Sequence, residues 1–178
     1  MRYLFLRQRW LHRLDREAFR QRLTHHLRRW GVPYLVCFLA TAWFQAHFAV
    51  AFNASSSLPH RCFLIHKGEP PRRGEYVAFR WHGGGPYPEG ATFVKRIAGI
   101  PGDVITANGR RFYVNGDPVG DAKTASRQGQ PLEPGPTGTL PDSRYYVHAP
   151  HPDSLDSRYR LTGWIAESQI IGRAHALY

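Results

Sequence analysis

The sequence predicts a mainly β domain that follows one N-terminal transmembrane helix. Three observations support this fold class. Most of the excess positive charge lies before residue 31, an uncharged apolar run occupies residues 32–52, and short β-rich segments recur between residues 62 and 177. The 178 residues, 42% of them hydrophobic, suffice for one ordinary globular domain with short appendages but not for a second large domain.

Residues 1–31 form a basic segment. Nine arginines stand against Asp15 and Glu17 here, so this segment holds most of the formal net charge of +11. Such a charge is typical of proteins that bind nucleic acid. Lysine and arginine are also enriched on the cytoplasmic side of membrane helices. We therefore expect a cytoplasmic N-terminus, contact with membrane lipid and no nucleic-acid partner. Apolar residues at near-helical spacing would let the segment lie on an anionic lipid surface: Leu11, Leu14, Phe19, Leu23, Leu27 and Trp30.

Residues 32–52 carry no charged residue, although Gln45 and His47 interrupt the apolar run. At ~1.5 Å per residue, a helix of this length spans the ~30 Å hydrocarbon core of a bilayer. The pattern Ala49-Val50-Ala51 also has the form of a signal-peptide cleavage site. Because the apolar run and the basic segment are both longer than a signal peptide needs, we favour a retained transmembrane helix.

Residues 53–178 read as the exported β domain. An Asn115-Gly116 pair accepts the positive φ angles of a tight hairpin turn. We expect a long surface loop at about 122–142, which is rich in proline and glycine, and a flexible loop at 82–90.

The two cysteines, Cys37 and Cys62, fall on opposite sides of the predicted membrane boundary and cannot form a disulfide bond with each other. Segments rich in β-branched and aromatic residues predict strands at 62–66, 76–81, 92–97, 104–107, 111–114, 145–149, 163–166 and 170–177.

Three segments of this domain carry candidate chemistry. They are Asn-Ala-Ser-Ser-Ser-Leu-Pro at 53–59, Phe-Val-Lys-Arg-Ile-Ala-Gly-Ile-Pro-Gly-Asp at 93–103, and Ser-Leu-Asp-Ser-Arg-Tyr at 154–159. In this order, behind one N-terminal apolar run, they resemble the boxes S-x-P, K-R-x-x-G-x-P-G-D and S-x-D-S-R of the type I signal peptidase family of Ser/Lys proteases. The resemblance covers residues 32–178 and implies a signal-peptidase-like β domain.

The resemblance also implies the site residues. Ser57 corresponds to the acylating nucleophile and Lys95 to its general base. The Ser55 hydroxyl and the Ser57 backbone N–H would form the oxyanion hole. Ser154 would bind the Lys95 amine. Asp156 would either orient that amine or pair with Arg158 to brace the site, and the sequence leaves both roles open. The resemblance implies neither a cofactor nor a metal.

The TraF-type branch, conjugative transfer signal peptidases that mature pilin precursors, is the most similar part of the family. The opening Asn-x-x-x-Ser-Leu-Pro and the segment Arg-Gly-Glu-Tyr-Val-Ala-Phe at 73–79 carry this likeness. Two features depart from it: Arg61 and Phe63 stand where the branch has glycine and tyrosine, and no Gly-Asp-Asn precedes Ser154. The resemblance implies a single-pass protein of the bacterial inner membrane, with a periplasmic catalytic domain that acts on a signal-peptide precursor, pilin first.

Lys95 can act as a general base only if its environment lowers its pKa. A serine hydroxyl is a poor nucleophile until a base takes its proton, and lysine can act only if its pKa falls from ~10.4 toward neutrality. Burial provides that shift. Alternation along residues 92–97 places Lys95 on the same face as Phe93 and Ile97, with Val94 and Arg96 on the opposite face.

Other interpretations compete with this one. The three segments could be ordinary polar loops, although three coincidences in one chain are improbable. A histidine could act as base, with Asp153 or Asp156 as its partner; the candidates are His66, His82, His148 and His151. General signal-peptide removal is a second substrate class. A non-catalytic, membrane-anchored component that assembles a conjugation or secretion apparatus is the alternative outside enzymes.

Overall fold

The computed structural model describes residues 2–53, 57–85 and 87–177, with side chains from residue 17 onward. The chain divides into two compact units, one that ends at Ala46 and one that begins at His47. The first unit is a helix, and the second is made of β-strands. This division matches the mainly β class that the sequence predicts, with a helical N-terminal part.

The N-terminal unit is a single helix, α1, which spans Arg2–His47 and contains Pro33. In the part of the chain that the structure describes, no helix has a stretch of sufficient length and apolarity to cross a membrane. The predicted transmembrane helix is therefore not confirmed. Its predicted C-terminal end at residue 52 is wrong, because α1 ends at His47.

Residues Phe48–Phe52 form strand β1 instead. The sequence Phe-Ala-Val-Ala-Phe alternates large and small residues, which suits a strand with one buried face. Ala49 and Ala51 pack against the core, whereas Val50 and Phe52 are 49% and 79% exposed. All five residues of β1 pair with β2 in antiparallel register, from Phe48 opposite His66 to Phe52 opposite Cys62.

A seven-stranded sheet forms the main body of the second unit. Its strand order is β1-β2-β11-β3-β4-β9-β10. Besides β1, its strands are β2 (Cys62–Lys67), β3 (Tyr76–Arg80), β4 (Thr92–Gly99), β9 (Arg144–His148), β10 (Ile165–Ala166) and β11 (Ile170–Ala176). A short 3₁₀ helix, Glu167–Gln169, connects the last two.

A second sheet of four strands has the order β7-β6-β5-β8. It contains β5 (Val104–Asn108), β6 (Arg111–Val114), β7 (Asp117–Asp121) and β8 (Gly138–Thr139). The predicted Asn-Gly hairpin turn joins β6 to β7, and both of its residues have positive φ, 52° at Asn115 and 89° at Gly116. All eight predicted strand segments contain a strand, whereas β1, β7 and β8 were not predicted as strands.

The segment predicted as a long loop, 122–142, is more ordered than expected. It contains β8 and an isolated β-bridge between Ala125 and Pro131, and Pro134 forms a second β-bridge with Tyr159 outside the segment. Its turn at 126–130 is closed by the bonds that the backbone nitrogens of Ser126 and Gly129 donate to the carbonyls of Gln130 and Ser126. These bonds satisfy the backbone of a segment that has few apolar residues to bury.

Three clusters of buried side chains form the core. One joins the second sheet to the first and contains Ile105, Phe112 and Tyr146. The other two lie along the seven-stranded sheet, one around Phe63, Ile65 and Ala78, and one around Val77, Phe79 and Ile97. Strand β3 contributes to both of these clusters, because Val77, Ala78 and Phe79 are all fully buried. Strand β3 is therefore covered on both faces.

The backbones of β2 and β11 approach each other closely at Gly172. A Cβ at this position would overlap the carbonyl oxygen of His66, which is backbone and has little room to move. We expect Gly172→Ala to lower the free energy of unfolding by about 1–3 kcal/mol, the usual cost of overpacking. Urea denaturation of the parent and variant chains measures this change. Gly31→Ala is the control, because a Cβ at Gly31 meets no atom within 4 Å. Equal unfolding midpoints for Gly172→Ala and the parent would contradict the expectation.

Candidate active site

A cleft of about 530 Å³ in the second unit collects residues from all three motif segments. Ser57 contributes from the first segment, Lys95 from β4, and Ser154 from the loop after β9. All three side chains are buried, with exposed fractions of 7%, 5% and 3%. Segments that lie far apart in the sequence therefore meet in one pocket.

Lys95 lies in the middle of β4, opposite Val77 of β3. Its Nζ donates to the Ser154 Oγ at 2.8 Å, and it lies 5.8 Å from the centroid of the Phe93 ring. The predicted alternation is confirmed, since Lys95 and Ile97 are buried while Arg96 is exposed. Burial lowers the pKa of Lys95 from 10.5 to about 8, and the smaller effects of the Asp156 and Arg158 charges oppose each other.

Ser57 is presented by the loop between β1 and β2. The loop is closed by the bond that the Asn53 backbone nitrogen donates to the Arg61 carbonyl at 2.8 Å, and the Asn53 side-chain amide donates to the His60 carbonyl at 3.2 Å. Leu58, next to Ser57, is buried in the core. These contacts fix Asn53 and Leu58, the described residues on either side of the segment that leads to Ser57. Ser55, the other predicted oxyanion-hole residue, lies outside the described residues, so its role stays a prediction.

Asp156 pairs with Arg158, one of the two arrangements that the sequence left open. Arg158 donates to both carboxylate oxygens of Asp156, from Nε at 2.8 Å and from Nη2 at 2.9 Å. Asp156 also accepts the Ala149 backbone N–H, and Arg158 donates to the Asp121 carbonyl of β7. Asp156 is fully buried and Arg158 is 2% exposed. The pair thus connects the Ser154 loop with β7 of the second sheet and with Ala149, the residue that follows β9 of the first.

The four histidines considered as alternative bases each have a different environment. His66 is paired with Glu69, and His82 is paired with Glu89. Burial lowers the pKa of His148 to about 4. His151 does line the cleft, but its Nδ1 accepts the backbone N–H of Asp153. These contacts do not favour a histidine–aspartate arrangement around Ser57.

Two further residues line the cleft: Asp153, which was predicted only as the partner of a histidine base, and Tyr87, which was not predicted as a site residue. Asp153 is held by Lys123 and Arg127, whose donated bonds lower its pKa. Tyr87, from the glycine-rich loop, forms part of the opposite wall. Neither has a sequence signal of its own, because ion pairs across a cleft and an aromatic residue in a loop have no fixed spacing.

Among the described residues, no group of three or more His, Cys, Asp or Glu side chains is arranged to hold a metal ion. The polar groups that line the cleft are hydroxyls, amines, side-chain amides, a guanidinium, an imidazole and one ion-paired carboxylate. This donor set fits acid–base and nucleophilic chemistry by side chains.

Comparison with known proteins gives consistent matches. The family model "Signal peptidase, peptidase S26" matches residues 24–178. Signal peptidase I of Bacillus amyloliquefaciens is 31% identical over 98 residues, which cover 51% of this chain and 52% of that protein. Signal peptidase I of Pseudomonas fluorescens is 24% identical over 156 residues, which cover 65% of this chain and 51% of that protein. The chain therefore spans about half the length of the curated relatives that it matches.

A solved structure also matches. The crystal structure of a signal peptidase I from Enterococcus faecalis V583 is 22% identical, with a TM-score of 0.37. The match covers 62% of this chain and 98% of the other.

The buried ion pair provides a test of how the site is held together. Asp156→Ala leaves the Arg158 guanidinium buried without its carboxylate, which typically costs 3–5 kcal/mol, so we expect a loss of about that size in the free energy of unfolding. The matched control is Glu133→Ala, because the Glu133–Arg160 pair has the same chemistry but is 68% and 76% exposed. We expect no measurable loss there. Thermal and urea unfolding measure both variants, and equal effects of the two would show that burial of the pair contributes nothing.

Proposed function

The chain belongs to the signal peptidase family, peptidase S26, and we propose that it is a serine endopeptidase that uses Ser57 as nucleophile and Lys95 as general base. One observation carries this proposal. A buried lysine with a pKa lowered to about 8 lies in the same cleft as a buried serine, and a second serine binds its amine at 2.8 Å. A lysine whose pKa is lowered by burial and that lies in a cleft with a serine is a candidate general base.

The proposed reaction follows the acyl-enzyme route. The neutral Lys95 amine takes the proton of the Ser57 hydroxyl as Ser57 Oγ attacks the scissile carbonyl carbon. The carbonyl oxygen becomes an oxyanion, which the Ser57 backbone N–H and the Ser55 hydroxyl stabilise. The C–N bond then breaks, and protonated Lys95 gives its proton to the departing amine. Water, deprotonated by Lys95, attacks the ester, which releases the new carboxylate and restores Ser57.

Ser154 holds the amine in place for these transfers. Its hydroxyl is 3% exposed and lies 2.8 Å from Lys95 Nζ. Asp156 and Arg158 act through this loop, because the ion pair fixes the backbone on which Ser154 stands. In this proposal Asp156 and Arg158 brace the site and do not contact the substrate.

The substrate in this proposal is an exported precursor with a signal peptide. An extended peptide suits a cleft lined by residues of β4 and of the edge strand β1, because peptides commonly bind a sheet edge as an added strand. Pilin maturation in conjugative transfer is our first choice, on the likeness of residues 53–59 and 73–79 to the TraF-type branch. General signal-peptide removal is the second, favoured by relatives that are themselves named signal peptidase I.

The proposed location is the bacterial inner membrane. The arginine-rich segment favours a cytoplasmic N-terminus, which would place the second unit in the periplasm.

The alternative outside enzymes is a membrane-anchored assembly component that binds pilin without cleaving it. This alternative requires neither a lowered lysine pKa nor a buried Ser57, so substitution of both residues separates the two functions.

Active-site substitution tests the chemistry directly. We expect Ser57→Ala and Lys95→Ala each to reduce cleavage of a labelled precursor by a factor of at least about 10³, since the nucleophile and its base act as a unit. Gel analysis of the purified full chain with the precursor measures the rate. Ser168→Ala and Lys67→Ala are the controls, because both residues are exposed and neither lines the cleft. Cleavage at the parent rate by both active-site variants would leave only the assembly role.

The pH profile tests Lys95 as the base. Since only the neutral amine accepts a proton, kcat/KM should rise about tenfold per pH unit below the pKa and level off above about 8. The measurement uses a peptide without groups that titrate between pH 6 and 9. A rate that stays constant from pH 6 to 9 would exclude an amine with this pKa as the base.

A further inference from the structure

Residues 122–132, which we call the rim segment, contribute polar side chains to the lining of the cleft. These side chains are Lys123, Ser126, Arg127, Gln128 and Gln130. The proposed reaction uses none of them. They nevertheless share one cleft with Ser57 and Lys95, so a peptide bound there can meet them.

The base of the rim segment is fixed by Arg110, which lies in the turn between β5 and β6. Its Nε donates to the Ala122 carbonyl at 2.7 Å, and its Nη2 donates to the Leu132 carbonyl at 2.7 Å and to the Lys123 carbonyl. The Tyr159 hydroxyl accepts the Lys123 backbone N–H at 3.1 Å. Both ends of the rim segment are therefore held by the same guanidinium, which gives the side chains between them a defined position.

Two cations of the rim segment share one carboxylate. Arg127 Nε and Nη2 each lie 2.7 Å from Asp153 Oδ2, and Lys123 Nζ donates to Asp153 Oδ1. The Arg127 and Lys123 side chains are 69% and 45% exposed, whereas that of Asp153 is 20% exposed. Because one carboxylate balances only one of the two cations, this cluster keeps one uncompensated positive charge at the rim.

The rest of the cleft lining does not remove this charge. Among the described residues that line the cleft, Asp153 is the only carboxylate, and Lys95 is the only cation besides Lys123 and Arg127. A cleft lined by charge of one sign attracts groups of the opposite sign. A guanidinium also has the planar arrangement of donors that matches a carboxylate. The ligand chemistry that suits this rim is therefore a carboxylate.

We propose that Arg127 is a specificity-determining residue, which forms with Lys123 a subsite at the cleft rim for an acidic side chain of the substrate peptide. This inference rests on the proposed function and adds an electrostatic preference among precursors. Since the rim charges are exposed, we expect them to change discrimination moderately and in a salt-dependent way.

The test is a set of labelled precursor peptides that carry Asp or Asn at one position at a time, over five positions on either side of the cleaved bond. At one or more positions, we expect the parent to cleave the Asp peptide with a kcat/KM about two- to fivefold above that of the Asn peptide at low salt, the size typical of an exposed ion pair. Added salt should lower this ratio.

Two substitutions change the rim charge in equal steps. Counted over Lys123, residue 127 and Asp153, it goes from one positive charge in the parent to none in Arg127→Gln and to one negative charge in Arg127→Glu. The Asp/Asn ratio should therefore fall to about one and then below one. Arg160→Gln is the matched control, because Arg160 is 76% exposed and paired with Glu133 but does not line the cleft. It should keep the parent ratio, and an equal fall there would overturn the subsite.

A binding measurement separates this inference from the proposed function. Fluorescence anisotropy of the same peptides on full chains with Ser57→Ala gives Asp/Asn affinity ratios without turnover. If the parent cleaves the peptides but Arg127→Glu has the parent's ratio at every position, the inference is wrong and the proposed function stands. If the parent cleaves none of them but Arg127→Glu weakens binding of Asp peptides relative to Asn peptides, the subsite stands and the proposed function fails. Unchanged affinity ratios likewise overturn the subsite.

Discussion

The burial of one amine is the constraint on which the rest of the site depends. Lys95 is 5% exposed on a central strand, where a permanently charged group would be costly. Among the residues that the structure describes, no carboxylate forms an ion pair with this amine, and Asp156 pairs with Arg158 instead. Ser154 provides a neutral hydrogen-bond partner, and the nearby Asp156–Arg158 pair presents charges whose effects on the Lys95 pKa oppose each other. The pKa of the amine is therefore about 8, close enough to neutral pH for the amine to exchange a proton.

Asp153 and Asp156 belong to one loop but have different environments and different structural roles. Asp156 is fully buried and bound bidentately by Arg158, whereas Asp153 is 20% exposed and bound by the flexible side chains of Lys123 and Arg127. The first, with Arg158, connects β7 to the residue that follows β9, and the second joins the 123–132 segment to the rim of the cleft. Only two residues of sequence lie between them, so residue type and spacing alone could not have distinguished the two.

The sequence was informative where local pattern and motif agreed. Strands such as β4 and the Asn115-Gly116 turn follow from alternation and turn chemistry, and the family that the three motifs indicate is confirmed by the match over residues 24–178. Strand β1 was missed because Phe-Ala-Val-Ala-Phe continues an apolar run, and periodicity does not separate a short buried strand from a helix there. Tyr87 was missed because its place depends on contacts with Trp81 and Phe93, which only the folded chain brings together. The TraF-type branch remains a prediction from sequence alone.

The immediate succession of α1 and β1 limits how the chain can be shortened. The helix ends at His47 and the strand begins at Phe48, so no spacer separates them. A truncation at residue 53, the start of the exported domain as the sequence suggested it, would remove an edge strand of the main sheet and leave β2 with an unpaired border. It would also cut off Ala51 and Phe52 from the lining of the cleft. A fragment intended for biochemical work must therefore retain Phe48 and everything after it.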